Sequence, residues 1–260
     1  MEVHLWRGSE EQRALRIQDR KLGQFAYFNE HLAYPDWRDK KVLDFGGSSG
    51  NLLLNPECEI RAEDYYCLDV VKEALDIGRK AFPSANWIHY DRYNCSFNPE
   101  GIADLPVPDI GIEFDFILAY SVFTHTTREE MNEMVAQLRA KLAVGGQLAF
   151  TFIDPHFESW PSTYRGNNLK WRLEKFREAD PSIDVIGLLE KSRGAKWCAL
   201  VDGRHLFVDS NGVWQGDADT CMTYDVFHTA GFLQEEFPHA TIRSPVNNEM
   251  QHCCITRSGK

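Results

Sequence analysis

A short apolar run, Lys41-Val-Leu-Asp-Phe45, leads straight into five small residues, Gly46-Gly-Ser-Ser-Gly50. A strand that turns through glycines lets backbone N–H groups approach a ligand closely. A second apolar run, Asp64-Tyr-Tyr-Cys-Leu-Asp69, ends in an acid roughly 20 residues downstream, where a carboxylate can accept hydrogen bonds from ribose hydroxyls. Turn and acid together define a nucleoside site. A nicotinamide dinucleotide is the competing ligand, and its fingerprint is G-x-G-x-x-G. No choice of starting glycine within Gly46-Gly47-Ser48-Ser49-Gly50 gives that spacing, so a ligand without a pyrophosphate fits better.

Proton-transfer chemistry has three candidates. His125 follows the fourth apolar run, and an imidazole with its ordinary pKa near about 6.5 suits proton removal at neutral pH. Asp154 and His156 follow the fifth run on the same edge. Each has a structural alternative: a helix start for His125, and a turn and loop around Pro155 for the other two. No dense carboxylate cluster accompanies them, so no metal is expected.

These residues need elements to hold them. Apolar runs at 41–45, 64–69, 87–90, 114–120 and 147–153 read as five strands. Between them lie helical patterns. One is expected directly after the glycine turn. A second carries Val71, Ala74, Leu75, Gly78 and Phe82. A third starts at Thr126 or Thr127, carries Met131, Met134, Val135, Leu138 and Leu142, and ends at Gly145-Gly146. Alternation of this kind predicts an α/β fold with a mostly parallel sheet, helices on both faces and ligands along one edge. Residues 1–40 read as a helical segment covering that edge. Residues 156–222 read as an insertion, or lid, within a single domain spanning 1–260. It contains a β-hairpin signal at Asp202-Gly203 between 196–201 and 204–208. A late helix over 225–236 and strands at 240–243 and 251–256 complete the chain.

The ordered set of motifs resembles the class I S-adenosylmethionine-dependent methyltransferases of small-molecule type. Val42-Leu-Asp44-Phe-Gly46-Gly47-Ser48-Ser-Gly50 is similar to their first motif, an acid followed by G-x-G-x-G, with Ser48 at the second glycine. Cys67-Leu-Asp69-Val70 resembles the second motif, whose acid holds the ribose. His89-Tyr-Asp91-Arg92 resembles the place where an acid meets the adenine amine. Tyr120-Ser121-Val-Phe-Thr-His125 resembles the fourth-strand exit under the methionine portion. Leu142-Ala-Val-Gly-Gly-Gln-Leu148 resembles the segment entering strand five, with Val144 in place of proline. The resemblance implies a Rossmann-like sheet of seven strands, the last antiparallel. It also implies S-adenosylmethionine as cofactor and methyl transfer to an O or N atom of a small acceptor. Two other readings stay open: a protein that binds the cofactor without transfer, and a methyltransferase acting on protein or RNA.

Bulk properties narrow the partners. A net charge of −11 repels phosphate backbones, so no nucleic-acid partner is expected. The seven cysteines show no C-x-x-C spacing, which fits buried thiols in a reducing compartment. No apolar run is long enough to span a bilayer, and the expected location is cytoplasmic. Trp160, Tyr164, Trp171, Trp197 and Trp214 suit an aromatic wall for a small acceptor; they suit the insertion's own core or a homodimer contact equally well.

Overall fold

The computed structural model describes residues 23–94, 97–126, 128–154, 228–246 and 250–260. It describes the backbone alone at 196–198, 206–207, 214–215 and 225–227. The central sheet contains β1 (Val42–Phe45), β2 (Tyr65–Asp69), β3 (Asn86–His89), β4 (Phe114–Ala119), β5 (Leu142–Phe152), β10 (Thr241–Arg243) and β11 (His252–Arg257). Their order is β10-β11-β5-β4-β1-β2-β3. The pairs β1–β2, β1–β4, β2–β3 and β4–β5 are parallel. The final strand, β11, runs antiparallel in this seven-stranded Rossmann-like sheet. β1 is buried along its whole length, as a strand covered on both faces must be.

The described helices are α1 (23–31), α2 (Lys72–Ala81), α3 (Arg128–Ala140) and α4 (Ala230–Glu236). α3 buries Met131, Met134, Val135 and Leu138, one stripe at helical spacing. α2 has Glu73 in its first turn and Arg79 and Lys80 in its last, matching the helix dipole. Its Gly78 lies against β3: a Cβ there would fall 2.2 Å from the Trp87 ring. Alanine normally gains about 1 kcal/mol over glycine inside a helix. Here overpacking opposes it by about 1–3 kcal/mol, because Trp87 must shift off the Phe82 carbonyl that its indole N–H donates to at 3.1 Å. Gly78→Ala is therefore expected to lower the midpoint of chemical denaturation, with its slope unchanged.

By internal packing the chain forms two units. The first comprises Met1–Tyr120, Met134–Phe150 and Ile255–Lys260. Beside its β1 and β2, the buried Asp64 is paired with both Lys41 and Arg61. Asp115 accepts the Lys41 backbone N–H at 2.9 Å. Trp37 packs on Phe116 and Phe25, with ring centroids at 4.7 and 5.7 Å. The second comprises Ser121–Glu133 and Thr151–Cys254. There the Thr229 hydroxyl caps α4 by accepting the Phe232 N–H at 3.1 Å, and Arg128 and Asn132 both reach Glu236. No helix among the described residues is long and apolar enough to cross a membrane.

Four sequence expectations need correction. No regular helix follows the glycine turn. Residues 51–57 form successive turns, with three-residue bonds such as Leu53 N–H to Gly50 O and Asn55 N–H to Leu52 O, and Pro56 halts any extension. α3 ends at Ala140 and β5 already begins at Leu142, so Gly145 and Gly146 lie inside a strand. The register with β4 shifts there, from Phe114↔Leu142 to Phe116↔Gln147, and Gly145 sits at φ 78°. Residues 225–227 are strand β9, not helix, and Thr229 starts α4. Lys196–Cys198 (β6) pairs antiparallel with β9 and not with Leu206–Phe207 (β7), whose partner is Trp214–Gln215 (β8). Asp202-Gly203, most of the 156–222 insertion and residues 1–22 lie outside the described residues.

Candidate active site

In an open parallel sheet, ligands bind outside the carboxyl ends of the strands where strand order reverses. The order reverses at β1, which has β2 on one side and β4 on the other. The glycine turn leaves β1 at that place. Gly46, Ser48 and Gly50 have φ of 78°, 55° and 84°. The left-handed region costs a non-glycine residue about 1 kcal/mol or more, so Ser48 needs outside support. Asp69 provides it: its Oδ2 accepts the Ser48 N–H at 2.7 Å, and Oδ1 accepts the Val71 N–H at 2.7 Å. The Gly46 N–H donates to the Leu68 carbonyl at 2.7 Å. Val70 is held in turn, its carbonyl 3.3 Å from His89 Nε2.

Gly47 is glycine for lack of space. A Cβ there would lie 2.5 Å from the Asp44 carboxyl carbon and 2.9 Å from Cys67 Sγ. Asp44 is buried beneath the turn and accepts the Tyr65 hydroxyl at 2.6 Å. Burial pushes its pKa up to about 7; the Tyr65 hydrogen bond opposes the rise and the Asp69 charge adds to it. Tyr65 and Cys67 are themselves raised well above their usual values, chiefly by burial. Asp44, Gly46, Gly47, Ser48, Gly50, Asp69 and Val70 thus form one cluster.

The other sequence candidates are placed differently. Asp91 Oδ1 accepts the Asn98 amide at 3.0 Å. Arg92 is buried and donates to the Leu105 carbonyl at 2.8 Å, so its guanidinium anchors the 97–107 loop. Tyr120, directly after β4, takes Tyr27 and Phe28 of α1 edge-on at 5.5 and 6.1 Å. Tyr27 also contacts His31 at 4.2 Å. Neither Tyr27 nor His31 stood out in the sequence, although their four-residue spacing on a helix was the available signal.

In the second unit, Ser121 has φ 59°, and His125 is half-buried on a 3-10 turn, Phe123–His125, with its N–H bonded to the Val122 carbonyl at 2.9 Å. Asp154 is buried and accepts the Ala230 N–H at 2.9 Å, so it helps hold the start of α4. His156 lies outside the described residues.

Residues 43–148 match a family profile described as "Methyltransferase domain". That match runs from β1 into β5 and takes in the glycine turn and Asp69. Comparison with curated proteins finds no match. Among solved structures, the chain is similar to magnesium protoporphyrin IX methyltransferase (ChlM) from Synechocystis PCC 6803, with bound SAH. That match has 13% identity and a TM-score of 0.45, covering 96% of this chain and 87% of the other. It is also similar to DesVI of Streptomyces venezuelae (14%, 0.49, covering 95% and 94%). A third is the glycopeptide N-methyltransferase MtfA complexed with SAH (11%, 0.49, covering 90% and 89%).

Proposed function

We propose that this protein is a class I methyltransferase that moves the methyl group of S-adenosylmethionine to an oxygen or nitrogen of a small molecule. The observation that carries the reading is the Asp69 carboxylate, fixed by two backbone N–H groups beside the glycine turn. An ionised carboxylate offers about four acceptor sites, so one side chain can serve backbone N–H groups and ribose hydroxyls together. Gly47 keeps the turn free of a side chain, and the Asp69 charge favours a cationic ligand over a neutral one. These residues fit the cofactor, which supplies an electrophilic methyl on a sulfonium.

The protein's own share is alignment of the acceptor and exclusion of water. Removal of a proton is needed only when the acceptor enters protonated, as a hydroxyl does, and His125 is the residue proposed for it. The −11 net charge supports a small acceptor over RNA.

Calorimetric titration with S-adenosylmethionine, its demethylated product and NAD tests the cofactor assignment. Binding of both sulfur nucleosides without NAD is expected, and no binding of either would sink it. A methyl-transfer screen across phenols, amines, carboxylates and sugars then identifies the acceptor class. With a hydroxyl acceptor, His125→Ala is expected to lower kcat by about 100-fold; unchanged turnover removes His125 as the base.

A further inference from the structure

We propose that Thr151 and Gln251 are positioning residues that set the orientation of His125 through the backbone of Ser121. The inference rests on the role proposed above for His125. Both side chains are fully buried, Thr151 on β5 and Gln251 just ahead of β11. The Thr151 hydroxyl accepts the Ser121 N–H at 2.7 Å and donates to Gln251 Oε1. One hydroxyl thus meets a backbone donor on one side and an amide oxygen on the other, which fixes the direction of its proton.

Ser121 needs that tether. Its φ of 59° lies in the region that a residue with a Cβ adopts only when its surroundings impose it. The Thr124 hydroxyl donates to the Ser121 carbonyl at 3.0 Å. The Thr124 proton being committed there, the 2.9 Å contact between the two hydroxyls requires Ser121 Oγ to donate to Thr124 Oγ1. Thr124 is buried, sits in the middle of the 3-10 turn and immediately precedes His125. A hydrogen-bonded path therefore runs from Gln251 through Thr151 and Ser121 to Thr124, and the chain itself joins Thr124 to His125, which carries the imidazole. Removal of the Thr151 hydroxyl takes this partner from the part-buried Ser121 N–H and from the buried Gln251 amide oxygen.

The test compares Thr151→Val, which keeps shape and removes the hydroxyl, with Thr151→Ser, which keeps the hydroxyl. Gln251→Met removes the far end of the path. The first readout is the His125 imidazole resonance in the cofactor-free protein, so it stands or falls apart from any methyl-transfer reading. The second is kcat on a hydroxyl acceptor alongside the dissociation constant for the demethylated cofactor. In Thr151→Val and Gln251→Met the His125 resonance is expected to move, and kcat to fall about tenfold, as misplacement by a fraction of an ångström would produce. Nucleoside affinity should stay within about twofold, and Thr151→Ser should match the parent in both readouts. A His125 resonance that stays in place in folded Thr151→Val overturns the proposal. So does a loss of nucleoside affinity that parallels the loss of kcat, because that pattern marks a general structural role. Failure of the parent protein to bind either sulfur nucleoside overturns the cofactor reading and leaves the resonance test standing.

Discussion

Asp69→Ala is expected to weaken binding of S-adenosylmethionine by more than tenfold. The carboxylate would give up hydrogen bonds to two ribose hydroxyls, each charge-assisted and worth about 1.5–3 kcal/mol, where about 1.4 kcal/mol is a factor of ten. A second loss adds to this one. Ser48 at φ 55° has its N–H held by Asp69 Oδ2, and without that acceptor the turn is free to leave its left-handed geometry. The Asp69→Asn variant separates the two effects. Its amide oxygen can still accept one backbone N–H, so the turn is better kept while the charge is lost. Calorimetry on both variants should place Asp69→Asn between the parent and Asp69→Ala. Unchanged affinity in Asp69→Ala refutes the ribose assignment.

The second large effect is on stability against pH, where two buried groups act with opposite signs. His228 is fully buried, stacks on Phe232 at 5.5 Å, and neither ring nitrogen has a hydrogen-bond partner among the described residues. Burial, helped by the nearby Arg128 cation, lowers its pKa from 6.5 to about 3. Between those values the unfolded chain binds a proton that the native chain does not. Stability is therefore lost as pH falls from about 6.5 towards 3, by up to about 5 kcal/mol. Asp44 works the other way. Its pKa rises from 3.8 to about 7 on folding, so the native chain keeps a proton that the unfolded chain has released. Stability is fully present below about 3.8 and is lost as pH rises through about 7, by up to about 4 kcal/mol.

Two variants read these terms as differences from the parent. His228→Phe keeps the stack and removes both orphaned nitrogens, so its advantage in urea denaturation should grow as pH falls below about 6.5. Asp44→Asn stands in for the protonated acid, so its advantage should appear between about pH 4 and 7 and hold above that. A pH-independent difference for either variant contradicts the corresponding burial argument. The persistence of a carboxyl that costs stability at neutral pH, directly under the glycine turn, is the pattern expected of a group kept for binding.

Features set by local chemistry were readable in the sequence. Val42–Phe45, Asp69 and the apolar stripes of α2 and α3 depend on nearby residue types, and they sit where those types put them. Features set by distant pairing were not. Gly145-Gly146 looked like a helix stop, yet the bulge opposite Phe114–Phe116 exists only because β4 is alongside. Asp225–Phe227 continues the helical pattern of the residues after it, and its strand state depends on β6. Asp154 carries no sequence signal for the bond its carboxylate accepts from the Ala230 N–H at the start of α4, some 76 positions along the chain. Arg92 likewise carries no sequence signal for its bond to the Leu105 carbonyl. Thr151 and Gln251 are 100 positions apart and carry no local signal at all.

The place of β11 in the sheet bears on how the chain is made. It lies between β5 and β10, although it is the last strand in sequence. During synthesis β5, whose Leu148–Phe152 stretch is fully buried in the finished fold, must leave the ribosome long before its neighbour is available. For some hundred residues of elongation that strand presents an apolar, unpaired edge, the kind of edge that other chains can join. Pairing across so long a loop is also slow. Yield of the active protein should accordingly respond to growth temperature and holdase supply more than its final thermodynamic stability suggests.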